Sequence, residues 1–131
     1  MSRKRILIVD DDADQQQALA IRLRAAGFDT AFANDGMQAV ALARRDKPDL
    51  VLLDIGLPGG DGFVVIQRLK AMSQNRVLPF VVLSARDPET NRERMLAAGA
   101  EAYFQKPANN EELLATIRQL MGEPAEQAKT A

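Results

Sequence analysis

Asp54 ends the apolar run Asp49-Leu50-Val51-Leu52-Leu53, and three other segments end on a polar group in the same way. Ile6-Leu7-Ile8-Val9 stops at Asp10-Asp11-Asp12, Phe80-Val81-Val82-Leu83 stops at Ser84, and Glu101-Ala102-Tyr103-Phe104-Gln105 stops at Lys106. Carboxylates, a hydroxyl and an ammonium gathered at strand ends are suited to hold a magnesium ion and a phosphoryl group. Crowded carboxylates repel one another, and each resists ionisation unless a cation compensates. Magnesium supplies that charge; it takes octahedral oxygen ligands at about 2.0–2.1 Å and keeps waters that a phosphate oxygen displaces. Asp54 is then the nucleophile, because carboxylates form covalent phosphoryl intermediates. Charge on a transferring phosphoryl group sits on its equatorial oxygens, so catalysis is positioning and electrostatics. Magnesium neutralises one oxygen, Lys106 a second, and the Ser84 hydroxyl with the Ala85 backbone amide a third.

What the chain lacks narrows the chemistry further. With no cysteine there is neither a disulfide, a thiolate nucleophile nor a thiolate metal site. With no histidine, the usual zinc site, the Ser-His-Asp triad and the commonest general base are excluded. Any metal is a hard ion held by oxygen, and any phosphohistidine in the mechanism belongs to another protein. The net charge of −1 argues against an extended nucleic-acid surface. No apolar run reaches the length of a membrane span. The basic start Met1-Ser2-Arg3-Lys4-Arg5 is not followed by a signal h-region, so a cytoplasmic location is expected.

The elements that must position these groups follow from periodicity. Five strands are expected at Lys4–Val9, Phe28–Ala33, Asp49–Leu53, Pro79–Leu83 and Glu101–Gln105. The first, third and fourth are continuously apolar, as central parallel strands covered on both faces are; the mixed second and fifth fit the edges. The first helix is expected from about Ala13 to Ala26, with Asp12 and Gln15 in capping-box spacing and Gly27 as its stop. The second covers about Asp35–Arg45, started by Asn34 and stopped before Pro48. The third runs from Asp61 to about Met72, carrying Phe63, Ile66 and Leu69 inward. The fourth opens at Asp87-Pro88 and closes at Gly99, with a first half almost devoid of apolar residues. The fifth starts near Asn109 or Asn110 and presents Leu113, Ile117, Leu120 and Met121. Gly36 and Gly62 fall in first helical turns, where close backbone packing is the reason expected. Strict βα alternation implies an α/β fold, a single (βα)5 doubly wound domain around an open parallel sheet with right-handed crossovers. In such sheets ligands collect beyond the carboxyl ends of the strands, which brings Asp10, Asp11, Asp54, Ser84 and Lys106 to one edge. The domain is expected over 1–121, with 122–131 as a flexible C-terminal tail or truncated linker.

Four motifs in order carry a family resemblance: Ile6-Leu7-Ile8-Val9-Asp10-Asp11, Leu53-Asp54 with Pro58 and Asp61-Gly62, Leu83-Ser84-Ala85, and Lys106-Pro107. Over about residues 4 to 121 the chain resembles a receiver domain of the two-component response-regulator family. That resemblance implies a flavodoxin-like sheet of strand order 2-1-3-4-5, with Asp54 as phosphoacceptor. It implies Asp11 as a direct magnesium ligand, Asp10 as the acid acting through water, and the Gly56 backbone carbonyl as a further ligand. It makes Ser84 the hydroxyl that moves toward the phosphoryl group, Lys106 its ammonium partner and Tyr103 the aromatic switch, and a cis Lys106-Pro107 bond is usual. Gly56 has no side chain where many relatives carry asparagine or methionine, and Arg86 adds a cation beside the site.

The function implied is a phosphorylation-dependent switch of a two-component phosphorelay. It takes its phosphoryl group from a histidine kinase or histidine phosphotransfer protein, with Mg2+ as cofactor and Mn2+ as a substitute. It is not a turnover enzyme on external substrates, makes no direct nucleic-acid or membrane contact, and is a monomer or weak dimer. Two other classes compete. A haloacid-dehalogenase-type phosphatase also uses an aspartate nucleophile, and Asp10-x-Asp12 spells its first motif. However, Asp14 stands where threonine or valine is expected, no acid pair follows Lys106 closely, and 131 residues leave no cap domain. A phosphorylation-independent binding module of the same fold is disfavoured by the chemically intact acceptor site.

Overall fold

The five expected strands form one parallel sheet in the order β2-β1-β3-β4-β5. The computed structural model describes residues 4–54, 62–72, 78–84, 93, 95–106 and 108–122. The strands are β1 (Arg5–Val9), β2 (Asp29–Ala33), β3 (Leu50–Leu53), β4 (Phe80–Ser84) and β5 (Ala102–Gln105). The helices are α1 (Ala13–Ala25), α2 (Gly36–Asp46), α3 (Gly62–Met72), α4, of which residues 93 and 95–98 are described as helix, and α5 (Asn110–Leu120). The remainder of the expected fourth helix lies outside the described residues.

The continuously apolar strands β1, β3 and β4 occupy the centre, and their alternate side chains divide between two cores. Leu7, Val9, Val51, Leu53, Phe80 and Val82 pack with Ala39, Ala43, Val65, Ile66, Leu69 and Met95 on the α2–α3–α4 face. Ile6, Ile8, Leu50, Leu52, Val81 and Leu83 pack with Ala20, Leu23, Leu113 and Ile117 on the α1–α5 face. A strand buried on both sides has no polar face to show, which is why these read as unbroken apolar runs. β2 and β5 take the edges with mixed burial.

Helix ends carry the corrections to the expected boundaries. Asp12 caps α1, accepting from the backbone N–H of Asp14 and Gln15, and Gly27 stops the helix at φ +102°. The reciprocal half of a capping box is absent: the Asp12 N–H donates to Asp10 Oδ1, and Gln15 Oε1 accepts from Lys106. α2 is capped by Asp35, not Asn34; Asp35 accepts from the Gln38 N–H, while the Asn34 N–H donates to Gln38 Oε1. Gly36 meets the packing demand expected of it, since an added Cβ there would lie 2.7 Å from Val65 Cγ2 on α3. Val65, Ile66 and Leu69 are the buried α3 residues; the Phe63 side chain lies outside the described residues. In α5, capped by Asn109, Leu113 and Ile117 are buried, with Leu120 and Met121 partly so.

Candidate functional site

Parallel registration of four strands places their carboxyl ends side by side. The Asp10 N–H donates to the Ala33 carbonyl, the Asp54 N–H to the Val9 carbonyl, and the Lys106 N–H to the Ser84 carbonyl. Those three bonds continue the β1–β2, β1–β3 and β4–β5 ladders by one residue beyond each strand. The side chains that follow the strands are thereby held at one edge.

Asp10, Asp11 and Asp54 converge there, with one carboxylate oxygen from each lying within 4.8 Å of the others. Asp10 is buried (3 % exposed), Asp54 half-buried and Asp11 exposed, so the cluster opens to solvent along one side. Trans ligands of an octahedral magnesium stand about 4.2 Å apart, twice the metal–oxygen distance. Cis ligands stand about 3 Å apart, so three oxygens within 4.8 Å of one another would draw closer around such an ion, and they are the hard donors it prefers. Among the described residues one ammonium pairs with this trio, through Asp10 and Asp54, so three formal negative charges face one positive charge. That surplus is the electrostatic reason for a divalent cation at this edge.

The ammonium is that of Lys106. Its Nζ lies 3.0 Å from Asp10 Oδ2 and 3.4 Å from Asp54 Oδ2, and it also donates to Gln15 Oε1. Burial works against its charge, but the hydrogen bond to Asp10 and the negative charge of Asp54 outweigh it, and the Lys106 pKa stands above the ordinary lysine value. Ser84, the last residue of β4, is buried at 1 % exposure beside this edge. Tyr103 is half-buried on β5, packed against the α2–α3–α4 core, and pairs in register with Val82, two residues before Ser84. Gly56 and Ala85, expected as carbonyl ligand and amide donor, lie outside the described residues, as do Arg86 and the Lys106-Pro107 bond.

Two residues of the site were not foreseen. Gln16 is buried, and its Nε2 donates to the carbonyls of Asp10 (2.8 Å) and Ala33 (3.0 Å) and approaches Asn34 Oδ1. It ties the end of β1 to the end of β2 beneath the acid cluster. Its signal in the sequence was phase: Gln16, Ala20 and Leu23 form one buried helical stripe, and a polar residue on such a stripe needs internal partners. Gln15, read only as a capping residue, instead reaches Lys106. An open cleft of about 490 Å³ adjoins the site between α1 and α5, lined in part by Gln15, Leu19, Leu83, Lys106 and Leu113.

Comparison with known proteins finds a family and many relatives. The profile of the response regulator receiver domain matches residues 6–118. The chain is 43 % identical over 133 residues to the DNA-binding response regulator MtrA of Mycobacterium tuberculosis, covering 98 % of this chain and 57 % of that protein. It is 42 % identical over 117 residues to the response regulator MprA of Mycobacterium leprae, covering 89 % and 50 % respectively. The chain thus spans little more than half the length of these relatives. Among solved structures, the BeF3-activated N-terminal receiver domain of RstA from Klebsiella pneumoniae superposes with a TM-score of 0.83 at 33 % identity, covering 90 % of this chain and 98 % of that one. The chemotaxis protein CheY4 of Vibrio cholerae superposes at 0.83 with 28 % identity, covering 91 % and 99 %.

Proposed function

The chain belongs to the response regulator receiver domain family, and on that premise we propose that it is a signalling switch phosphorylated on Asp54. The observation that carries this reading is the convergence of Asp10, Asp11, Asp54 and Lys106 at one sheet edge, with more carboxylate than the lysine balances. An Asp54 carboxylate oxygen attacks phosphorus of a partner's phosphohistidine. The O–P bond forms as the N–P bond breaks, and the departing imidazole nitrogen keeps the electron pair and takes a proton from solvent. No base in this chain is required, because a carboxylate is already the nucleophile.

Asp11 and Asp54 would hold a magnesium ion directly, with Asp10 acting through water and the Gly56 carbonyl as a further ligand. Bound there, the ion neutralises charge on the phosphoryl oxygens and on the carboxylates. Lys106 pairs with a second phosphoryl oxygen, and the Ser84 hydroxyl with the Ala85 amide takes a third. Movement of Ser84 toward that group opens space beside Val82 and Tyr103 on the adjoining strands, and the Tyr103 ring turns inward to fill it. The output is this population shift and not a released product, so the chain turns over no external substrate. Its donors are a histidine kinase or a histidine phosphotransfer protein, and the switch works in the cytoplasm. Among the described residues no helix is long and apolar enough to cross a membrane.

Intact mass after incubation with acetyl phosphate tests the reading, with and without magnesium, on wild type and Asp54→Asn. One magnesium-dependent phosphoryl adduct on wild type, absent from the variant, is expected. An equal adduct on Asp54→Asn moves the acceptor elsewhere. No adduct with acetyl phosphate and no binding of beryllium fluoride would leave a phosphorylation-independent module.

A further inference from the structure

The Lys106 ammonium has three hydrogens to donate and, among the described residues, three acceptors around it: Asp10 Oδ2, Asp54 Oδ2 and Gln15 Oε1. They are unequally held. The Gln15 contact is the shortest, at 2.5 Å, and the Asp54 contact the longest, at 3.4 Å. Charge-assisted N–H···O bonds to a carboxylate ordinarily close to about 2.7–2.9 Å. The ammonium therefore stands back from Asp54, drawn toward a neutral amide on the first turn of α1. We infer that Gln15 is a positioning residue of this site: its amide oxygen holds Lys106 away from Asp54 and so sets how closely the lysine closes on a group carried there. This deepens, and rests on, the reading of Asp54 as phosphoryl acceptor.

The energetics favour a release on demand. A phosphoryl oxygen is charged and an amide oxygen is not, so the ammonium gains by exchanging one for the other. Gln15 is exposed and lines the open cleft between α1 and α5, so the released amide turns into water with no buried acceptor stranded. The cost of the exchange is the hydrogen bond to Gln15. Removing that bond in advance lowers the cost of pairing with the phosphoryl group, and strengthening it raises the cost.

Gln15→Leu and Gln15→Glu are compared with wild type by their affinity for beryllium fluoride at saturating magnesium. Magnesium affinity is measured separately, and thermal unfolding verifies that each variant folds. Gln15→Leu is expected to bind beryllium fluoride about three- to tenfold more tightly, the net worth of one ordinary hydrogen bond. Gln15→Glu, a charged acceptor for the same ammonium, is expected to bind it more weakly with its magnesium affinity taken into account. A residue that merely supports the helix would not give opposite signs. Equal or weaker binding by Gln15→Leu overturns the inference. Should wild type fail to bind beryllium fluoride, the phosphoryl reading itself falls. The hold is then read from the Lys106 ammonium proton signal of the free protein in ¹⁵N NMR. Slow exchange in wild type and fast exchange in Gln15→Leu support it, and equal exchange overturns it.

Discussion

The two ends of the sheet use carboxylates in opposite ways. At the amino end, among the described residues, Asp49 and Glu101 have partners within the fold. Asp49 Oδ2 accepts from the Arg5 N–H at 2.8 Å, and Glu101 accepts from Lys70 Nζ at 2.8 Å with one oxygen and from the Phe80 N–H at 2.6 Å with the other. Lys70 also lies over the Phe80 ring, 5.1 Å from its centre. Asp49 ties β1 to the start of β3, and Glu101 ties α3, β4 and β5 together with its charge met by Lys70. At the carboxyl end, among the described residues, three aspartates converge and Lys106 pairs with two of them, Asp10 and Asp54. At the amino end the acids bond within the fold, while at the carboxyl end three carboxylates face one ammonium, a surplus that suits a cation. Acidic residues alone do not mark a site; an excess over their partners does.

The largest break in that contrast is Asp54→Asn, which is expected to abolish phosphoryl uptake while the amino end is unaffected. Next comes removal of the metal. A ligand that binds only the folded state stabilises it by about 2.7 kcal/mol at a hundredfold excess over its Kd. Magnesium at that excess is expected to raise wild-type stability by about that amount in denaturant unfolding, and Asp11→Ala is expected to lose the increment. An undiminished increment in Asp11→Ala would place the ion elsewhere. The opposite break is Glu101→Ala, which leaves the Phe80 N–H without its acceptor and Lys70 without its partner. A destabilisation of about 1–3 kcal/mol is expected, with magnesium affinity unchanged. Gln16→Leu follows at about 1 kcal/mol. Its effect is smaller because the Ala33 carbonyl keeps the Asp10 N–H when Gln16 is gone.

What was legible in the chain was whatever local chemistry decides. Unbroken apolar runs placed β1, β3 and β4 at the centre, and Gly27 and Gly99 stop helices with φ of +102° and +118°, values that L side chains rarely adopt. Asp10, Asp11, Asp54 and Lys106 were legible as a set because each follows a strand, and a parallel sheet brings strand ends together whatever lies between them. The misreadings have a common cause. Spacing alone made Gln15 half of a capping box, but a charged acceptor at Asp10 and a lysine 91 residues away competed for those groups and won. Gln16 escaped notice because its partners are carbonyls of two other elements. Asn34 and Asp35 were equally good caps by type, and the Asn34 N–H, bonded to Gln38, decided between them.

The smallest expected effect concerns pH, and it separates the two ends once more. The folded pKa of Lys106 lies above its ordinary value, because Asp10 and Asp54 favour the charged form more than burial disfavours it. A raised pKa means that folding binds the proton more tightly than the unfolded chain does. The stabilisation is fully present below the unfolded lysine value, near 10.4, and is lost as pH rises through the folded value. Metal-free wild type is therefore expected to lose stability more steeply across that alkaline limb than Lys106→Met does. The same effect of replacing Lys106 is expected in a Glu101→Gln background, since that carboxylate pairs with Lys70 and does not face Lys106. Magnesium should flatten the wild-type limb, because a cation on Asp10, Asp11 and Asp54 weakens the pull those acids exert on the ammonium. Parallel slopes for wild type and Lys106→Met in chelator would show that the lysine contributes no proton-linked stability at the carboxyl end.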